Sequence, residues 1–387
     1  MNHPQRIMFV TRAVFVSGAE KALLHLLVGL KRRDHDVQVA CGQDGDVRLL
    51  YAAQGIPTHI LPLETTDVLR PWRFWRSVWQ FRCTLRTAGT NILHTNDVPS
   101  CQAALLAART LNVPRVCHVR FPETAKGLKW FLKYGVECLI TVSESLRREL
   151  LSRTPEGLHE KIVAILDGIE LQSARTEADR RTARSALGLR QDRLVYLFMG
   201  QFSPVKGVAD LIRAAGLYMA QAGPPATFCL VGDDLRNAGA YRREMMELAK
   251  RASGGADMRF PGFQEDVSAW VAAADCVVVP SLVDPLGMTI MEAMTAGRMV
   301  IGSDVGGIPE MVSPGESGLL VPAGNPPAIA AAMMQAATDP GMRQRMERAA
   351  VDRARELFDL DKYVQRVEAV YRDLTVRARE PSLFGGA

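Results

Sequence analysis

Residues 280–310 read PSLVDPLGMTIMEAMTAGRMVIGSDVGGIPE, and this stretch decides the fold. The apolar run 276–279 just before it predicts a strand, a polar turn follows, and a helix is expected over 288–295. Gly297 ends that helix, because a glycine past the last turn readily takes the left-handed conformation. A second strand over 299–301 repeats the pattern. A helix in this position points its free N–H groups beyond the sheet, which suits a phosphate.

Two carboxylates frame the start of the expected helix. Asp284 precedes it, and Glu292 lies about one turn inside it among apolar side chains. A charge in such surroundings needs a partner or a wet cavity. The alternative is structural: a solvated turn acid, and a glutamate favoured by the helix dipole.

Length and composition indicate a globular chain of two domains. The chain has 387 residues, and this length is too great for one ordinary core. Of its residues 48% are hydrophobic and 23% charged, as in ordinary globular proteins. No secretory leader and no apolar run of spanning length is recognised. The seven cysteines are scattered without a C-x-x-C pair, which favours a reducing compartment over a disulfide scaffold or a zinc site. We therefore expect a cytoplasmic protein.

Short apolar strands alternate with helical stretches in both halves of the chain, which predicts two parallel sheets covered by helices. The expected strands are 6–10, 36–41, 58–61, 91–94, 115–119, 138–142, 195–199, 228–232, 276–279 and 299–301. Domain boundaries are predicted after 172 and after 360, with residues 361–376 forming a last helix. Ligands of such sheets bind beyond the carboxyl ends of the strands.

Several candidate residues follow strands directly. Gly18 comes after the first strand, in Ser17-Gly18-Ala19-Glu20, where a plain helix cap is the alternative. His94 and His118 lie at strand ends, where a histidine is more often structural than catalytic. Lys206, in the run GQFSPVKG, could be a surface lysine before a helix or an anion ligand.

The 280–310 stretch resembles the signature of the retaining glycosyltransferases of family 4, which reads roughly PS-x-x-E-x-F-G-x-x-x-x-E-A-M-A-x-G and then G-G-x-x-E. The matching residues here are Pro280, Ser281, Asp284, Gly287, Glu292, Ala293, Met294, Gly297, Gly306, Gly307 and Glu310. Three further blocks resemble the family's G-G-x-E, G-R-x-x-x-x-K-G and G-F-x-x-D-V. The departures are Asp284 for Glu, Leu286 for Phe, Gln201 for Arg and Ser17 for Gly.

The resemblance implies the GT-B fold: two Rossmann-like domains whose parallel sheets face each other across a cleft. The first domain (1–172) would take the acceptor and the second (173–360) the nucleotide-sugar, while the last helix (361–387 with its tail) crosses back to the first. It implies catalytic roles for His118, Asp284, Glu292 and Lys206. The implied donor-binding residues are Gly18, Gln201, Lys206, Gly262, Phe263, Leu286, Gly287, Met288, Thr289 and Glu292.

The implied function is a retaining transfer of a sugar from a nucleotide-diphosphate-sugar, with UDP or GDP as the nucleotide. The acceptor would be a glycan, a lipid-linked molecule or a small molecule in cell-envelope polysaccharide or glycolipid synthesis. No metal and no other cofactor is implied. Because Asp284 is shorter than Glu and Gln201 lacks the arginine charge, two alternatives stay open: an inactive nucleotide-sugar-binding protein, or a nucleotide-sugar epimerase. Arg12 or Arg120 could supply the missing charge.

Positive charge concentrates in the first half. Residues 1–180 hold 24 Lys and Arg against 18 Asp and Glu, a balance of +6, whereas residues 181–387 hold 23 against 24. Residues 70–86, RPWRFWRSVWQFRCTLR, place Trp72, Trp75 and Trp79 at helical spacing among arginines. This composition suits the inner face of an anionic membrane, while packing on the sheet is the alternative. No nucleic-acid-binding signature is present.

Overall fold

The chain folds into two compact units of parallel sheet and helices. The computed structural model describes residues 4–65, 69–96, 101–122, 128, 131, 135–171, 173–234 and 238–379. Unit 1 comprises residues 1–170 together with 359–387, and unit 2 comprises residues 171–358. The sequence predicts these divisions at 172 and 360.

Unit 1 is built on a seven-stranded sheet in the order β3-β2-β1-β4-β5-β6-β7, and every neighbouring pair is parallel. Its strands are β1 (Arg6–Thr11), β2 (Asp36–Cys41), β3 (Thr58–Ile60), β4 (Ile92–Thr95), β5 (Arg115–Val119), β6 (Cys138–Thr141) and β7 (Ile162–Ala164). The chain order reverses between β1 and β4. In an open parallel sheet, that point is where ligands bind.

Unit 2 repeats this arrangement with six parallel strands in the order β10-β9-β8-β11-β12-β13. They are β8 (Leu194–Met199), β9 (Ala226–Val231), β10 (Asp257–Gly262), β11 (Cys276–Val279), β12 (Met299–Ser303) and β13 (Gly318–Val321). Here the order reverses between β8 and β11. The prediction of parallel sheets in both halves is confirmed.

Helices flank both sheets. In unit 1 they are α1 (Gly18–Arg32), α2 (Asp46–Ala53), α3 (Pro71–Thr87), α4 (Gln102–Thr110), α5 (Glu144–Arg153) and, at the end of the chain, α14 (Leu360–Arg379). In unit 2 they are α6 (Glu177–Ala186), α7 (Val208–Ala220), α8 (Ala240–Ala252), α9 (Ser268–Ala273), α10 (Met288–Thr295), α11 (Ile308–Met311), α12 (Pro326–Thr338) and α13 (Pro340–Leu357). Short 3-10 turns lie at Glu156–Lys161 and Pro204–Lys206.

The central strands are continuous apolar runs because both of their faces are covered. All four residues of β11 and all five of β12 are buried. A strand buried on both faces reads as an apolar run rather than an alternating one. This is why the predicted bounds of β5 and β11 agree with the structure. The predicted bounds of β2 and α10 agree as well.

Three edge elements have no counterpart in the sequence prediction. β7 is three residues long, β10 contains Pro261 and half-buried side chains, and β13 begins at a glycine. Short or polar edge strands carry little apolar signal, so the pattern does not show them.

The last helix belongs to unit 1. A parallel bridge joins Ile169 to Asp359, where the chain re-enters this unit, and α14 then packs against α1. The helices approach so closely that a Cβ on Gly29 would lie 2.5 Å from Val364 Cγ2. Glu368 on α14 accepts a hydrogen bond from Arg33 at 2.8 Å and contacts His35 at 2.8 Å, both near the end of α1. Helix α14 thus belongs to unit 1.

Candidate functional site

Three loops of unit 2 meet where the strand order of its sheet reverses. They follow β8 (residues 200–207), β11 (280–287) and β12 (304–307). The backbone N–H of Leu282 donates to the carbonyl of Val205 at 2.8 Å, and that of Gly307 donates to the carbonyl of Asp284 at 3.0 Å. These hydrogen bonds fix the loops to one another.

Two glycines make this close approach possible. A Cβ on Gly207 would lie 1.9 Å from the carbonyl oxygen of Pro280, and one on Gly306 would lie 1.9 Å from that of Asp284. Both glycines also have positive φ, +68° and +56°. No side chain fits at either position without moving the loops.

The carboxylate of Asp284 is the centre of the loop cluster. Lys206 Nζ lies 2.8 Å from Asp284 Oδ2, and Ser281 Oγ donates to the same oxygen at 2.9 Å. Asp284 is buried, whereas about a third of the Lys206 side chain is exposed. The structure thus joins two residues for which the resemblance implies catalytic roles. The role of Ser281 was missed, although its spacing from Asp284 in the signature was the available signal.

Helix α10 begins at this cluster. Gly287 is its N-cap, and no side chain of the described residues caps its first turn. The hydroxyl of Thr289 donates to the carbonyl of Met199 at 3.1 Å, which ties the start of the helix to the end of β8. Glu292 is half-buried one turn further on, while Ile290 and Met291 beside it are fully buried. The first turn of α10 therefore lies at the loop cluster.

The remaining predicted donor residues of unit 2 lie along the same sheet edge. Gln201 is exposed directly after β8, and Leu286 and Met288 are partly exposed around the start of α10. Gly262 ends β10 with φ +83°, and its carbonyl accepts from Gly232 at 2.9 Å. Phe263 next to it is exposed. Their contacts with a nucleotide stay predictions.

In unit 1, Gly18 is the first residue of α1. Ser17, which precedes it, and Glu20, two residues after it, form a complete capping box. In this box the Ser17 N–H donates to Glu20 Oε2 at 3.1 Å. The helix-cap alternative for this motif is thus realised. A cap does not exclude a ligand at the glycine, so the donor role of Gly18 stays a prediction.

His118 is fully buried in unit 1. Its ring stacks on that of His94 at 5.4 Å, and His94 stacks on Phe9 at 4.8 Å and contacts Tyr371 Oη through Nδ1 at 2.5 Å. Neither ring nitrogen of His118 has a hydrogen-bond partner among the described residues. Burial lowers the pKa of both imidazoles well below 6.5, so both rings are neutral at neutral pH. The predicted contact of His118 with the transferred sugar stays untested.

A buried ion pair in unit 1 was missed by the sequence reasoning. Arg120 pairs with Asp167 through Nη1 and donates from Nε to Asn96 Oδ1 at 2.8 Å. Both members of the pair are buried. Asp167 stands where the resembled family usually has Asn, and this difference was the available signal. The suggestion that Arg120 supplies the positive charge missing at Gln201 stays a prediction.

Neither a metal-ligand cluster nor a spanning helix is found in the part of the chain that the structure describes. Its His, Cys, Asp and Glu side chains form no group of three or more with the geometry of a metal site. None of its helices combines the length and the apolar character needed to cross a bilayer.

Two protein-family models match consecutive parts of the chain. The model described as Glycosyltransferase Family 4 matches residues 16–173, and the model described as Glycosyl transferases group 1 matches residues 179–353. Together they span both units.

Similar curated proteins carry transferase names. A D-inositol 3-phosphate glycosyltransferase of Kribbella flavida is 32% identical over 242 residues, which cover 58% of this chain and 56% of that protein. An alpha-D-kanosaminyltransferase of Streptomyces kanamyceticus is 26% identical over 254 residues, 64% of each chain. The chain thus matches roughly half to two thirds of the length of these curated relatives.

Solved structures resemble this chain in fold over most of its length. Anabaena Alr3699/HepE in complex with UDP superposes with a TM-score of 0.84 at 21% identity, covering 95% of this chain and 100% of that one. Sucrose-phosphate synthase from Thermosynechococcus elongatus gives a TM-score of 0.79 at 24% identity, covering 96% and 100%. At these identities the likeness shows the fold. The chain has two parallel sheets, with a loop cluster where the second sheet reverses its strand order, and both family models match it. It therefore belongs to the family 4, group 1 glycosyltransferases of the GT-B fold.

Proposed function

We propose that this protein is a glycosyltransferase that moves a sugar from a nucleotide-diphosphate-sugar to a hydroxyl acceptor with retention of anomeric configuration. The observation that carries the proposal is the Lys206–Asp284–Ser281 cluster beside the uncapped start of α10. It places one cation, several N–H donors and one carboxylate at the ligand-binding edge of a Rossmann-like sheet. The solved structures of Alr3699/HepE with UDP and with UDP-glucose support a nucleotide-sugar as donor.

The cluster suits the departure of a diphosphate. Lys206 is exposed enough to meet an anion, and the first-turn N–H groups of α10 add partial positive charge. Positive groups aimed at the oxygen where charge develops lower the barrier without forming a covalent bond. We assign Glu292 to the ribose hydroxyls, because a carboxylate can accept from two vicinal hydroxyls. Asp284 would accept from the sugar hydroxyls once Lys206 turns to the phosphates.

The transfer balances without a protein nucleophile or a metal. The bond from the anomeric carbon to the leaving phosphate oxygen breaks, and a bond from the acceptor oxygen forms on the same face. The acceptor proton passes to the leaving phosphate. Gly18 and His118 are proposed to contact the diphosphate and the sugar from unit 1, as the family resemblance implies.

The names of the similar proteins favour a small hydroxylated acceptor over a polymer. Several of the matching curated proteins are named for D-inositol 3-phosphate, a small hydroxylated molecule, whereas the name of the kanosaminyltransferase gives the sugar that it transfers. We therefore propose a small polyol or sugar as the first acceptor class to test, and a lipid-linked glycan as the second.

A panel of UDP-, GDP- and ADP-sugars tests the proposal with the purified protein. We expect one nucleotide class to raise the melting temperature, and nucleoside diphosphate to be released faster when an acceptor is present. NMR of the product should show the anomeric configuration of the donor. Binding without release would instead show a nucleotide-sugar-binding protein, and a changed sugar still attached to the nucleotide would show an epimerase.

A further inference from the structure

Helix α3 has two apolar sides, and only one of them is buried. Its buried residues are Phe74, Ser77, Val78, Phe81 and Leu85. On the opposite side Trp72, Trp75 and Trp79 are 63%, 60% and 64% exposed. The sequence left open whether these tryptophans pack on the sheet. The structure decides against packing, because a different apolar arc fills that role.

Positive charge accompanies the exposed tryptophans. Helix α3 contains four arginines and no acidic residue. Arg73 lies 3.2 Å from Glu64, and Arg82 donates to the carbonyl of Thr110 at 3.2 Å. Arg76 and Arg86 are exposed and form no ion pair with any described residue. We call Trp72, Trp75, Trp79, Arg76 and Arg86 the tryptophan face.

We propose that the tryptophan face docks this protein on the surface of an anionic phospholipid bilayer, with α3 lying in the plane of the interface. Indole rings partition to the headgroup region, where the ring is apolar and the N–H finds an acceptor. Arginines beside them meet lipid phosphates. An amphipathic helix that combines these side chains binds by apolar burial and by attraction to anionic lipid.

Other occupants fit this surface less well. A soluble glycan is usually bound in a concave site, whereas this is the outer side of a single helix. A second copy of the chain would bring the same arginines against each other across a two-fold axis, and α3 has no carboxylate to pair with them. The net charge of the face thus favours an anionic surface.

Docking is independent of sugar transfer, since vesicle binding needs neither donor nor acceptor. If both hold, the enzyme works beside lipids, and a lipid-linked acceptor becomes the substrate class to examine first. Failure of vesicle binding would leave the transferase proposal untouched.

Cys83 offers a direct probe of the contact. It lies one turn after Trp79 and is the one exposed cysteine of the seven, all of which the structure describes. An environment-sensitive fluorophore on Cys83 should shift to the blue with vesicles of phosphatidylglycerol and phosphatidylcholine in equal parts. It should not shift with pure phosphatidylcholine. The matched control carries the same label on α13 in the variant Cys83→Ser/Arg345→Cys, which should show no shift.

Co-sedimentation of the unlabelled protein with the same vesicles tests the residues. Replacing Trp72, Trp75 and Trp79 together with Gln should reduce binding by at least about ten-fold. Arg76→Gln/Arg86→Gln should reduce it by about five-fold per arginine at low salt and far less in high salt. The matched control Arg345→Gln/Arg348→Gln removes two exposed arginines of α13 and should bind like the wild type.

All replaced side chains are exposed, so thermal unfolding should change little and a folding failure will be recognised. Equal binding to anionic and neutral vesicles, or full binding by the triple tryptophan variant, would overturn the proposal. So would a dimer in solution that the triple variant converts to a monomer, because the occupant would then be a second copy. A change confined to the KM for a soluble acceptor would assign the face to that acceptor and equally overturn it.

Discussion

At the residue scale, Lys206 and Asp284 hold each other at the loop cluster. The 2.8 Å contact keeps the ammonium group at the carboxyl edge of the sheet. Ser281 donates to the same carboxylate oxygen and so helps to fix its position. The glutamate usual in the family has a side chain one methylene longer. The shorter side chain of Asp284 keeps its carboxylate close to the backbone of the 280–287 loop, where it contacts Lys206.

Lys206→Gln is expected to lower kcat/KM for the donor by roughly ten- to a hundred-fold, because one charge-assisted contact contributes about 1.5–3 kcal/mol. Steady-state release of nucleoside diphosphate measures the effect. Lys250→Gln removes an exposed lysine of the same unit and should leave the rate unchanged. Wild-type rates in a folded Lys206→Gln protein would contradict the assignment.

Glu292 is expected to act on binding more than on turnover. Glu292→Ala removes the acceptor for the ribose hydroxyls and should weaken binding of the free nucleoside diphosphate about ten-fold or more. Isothermal titration with UDP and with GDP measures this. Glu316→Ala, at an exposed position of the same unit, is the control. Equal affinity in both variants would remove Glu292 from the donor site.

Asp167 balances the charge of buried Arg120. Asp167→Asn keeps the shape and leaves the guanidinium without a counter-charge, which is expected to cost about 3–5 kcal/mol of the free energy of unfolding. Urea unfolding of unit 1, followed by hydrogen exchange or a local probe, measures it. Asp352→Asn breaks an exposed pair with Arg355 and should have little effect. If Asp167→Asn leaves the free energy of unfolding unchanged, Asn96 and the other neighbours of Arg120 satisfy its guanidinium without a counter-charge.

At the element scale, the glycines after the strands decide how closely the loops approach. Gly207 connects the 3-10 turn at Pro204–Lys206 to α7, and Gly306 lies between β12 and α11. Each lets a carbonyl oxygen of the 280–287 loop occupy the space of a side chain. The loops and the start of α10 therefore behave as one element.

Gly207→Ala should separate the 200–207 loop from the 280–287 loop and abolish nucleotide-induced thermal stabilisation. The added Cβ would lie 1.9 Å from a backbone oxygen, so the backbone has to move. Gly188→Ala is a close control. Its φ of +62° imposes similar strain, but nothing lies within 4 Å of the added carbon. If both variants lose the same stability and both keep nucleotide binding, the close approach is not needed.

At the scale of the whole molecule, the buried imidazoles make the stability of unit 1 depend on pH. Burial holds the pKa of His94 and His118 well below 6.5 in the folded protein, and the unfolded chain protonates nearer 6.5. Below that pH the unfolded state binds more protons. The stability present above about pH 6.5 is therefore lost as the pH falls toward the folded pKa values.

The melting temperature of unit 1 should thus drop between about pH 7 and about pH 5, and His118→Phe should flatten the drop by removing one titrating group. Scanning calorimetry over that range measures the slope. An unchanged slope in His118→Phe would mean that other groups carry the dependence.

Local pattern was enough to predict the two parallel sheets, which the structure confirms. Strands covered on both faces read as apolar runs, and α10 is bounded by Gly287 and Gly297, so local pattern suffices there. The family blocks assign Lys206, Asp284 and Glu292 to one site, and the structure pairs Lys206 with Asp284.

The tertiary structure alone shows which of the two apolar arcs of α3 is buried, because both arcs have helical spacing and periodicity does not indicate what packs against each of them. It also buried His118 against His94 and paired Arg120 with Asp167 across 47 residues of chain. Such contacts join distant strand ends. Their geometry follows from the order of strands in the sheet, which the alternation of strands and helices does not specify.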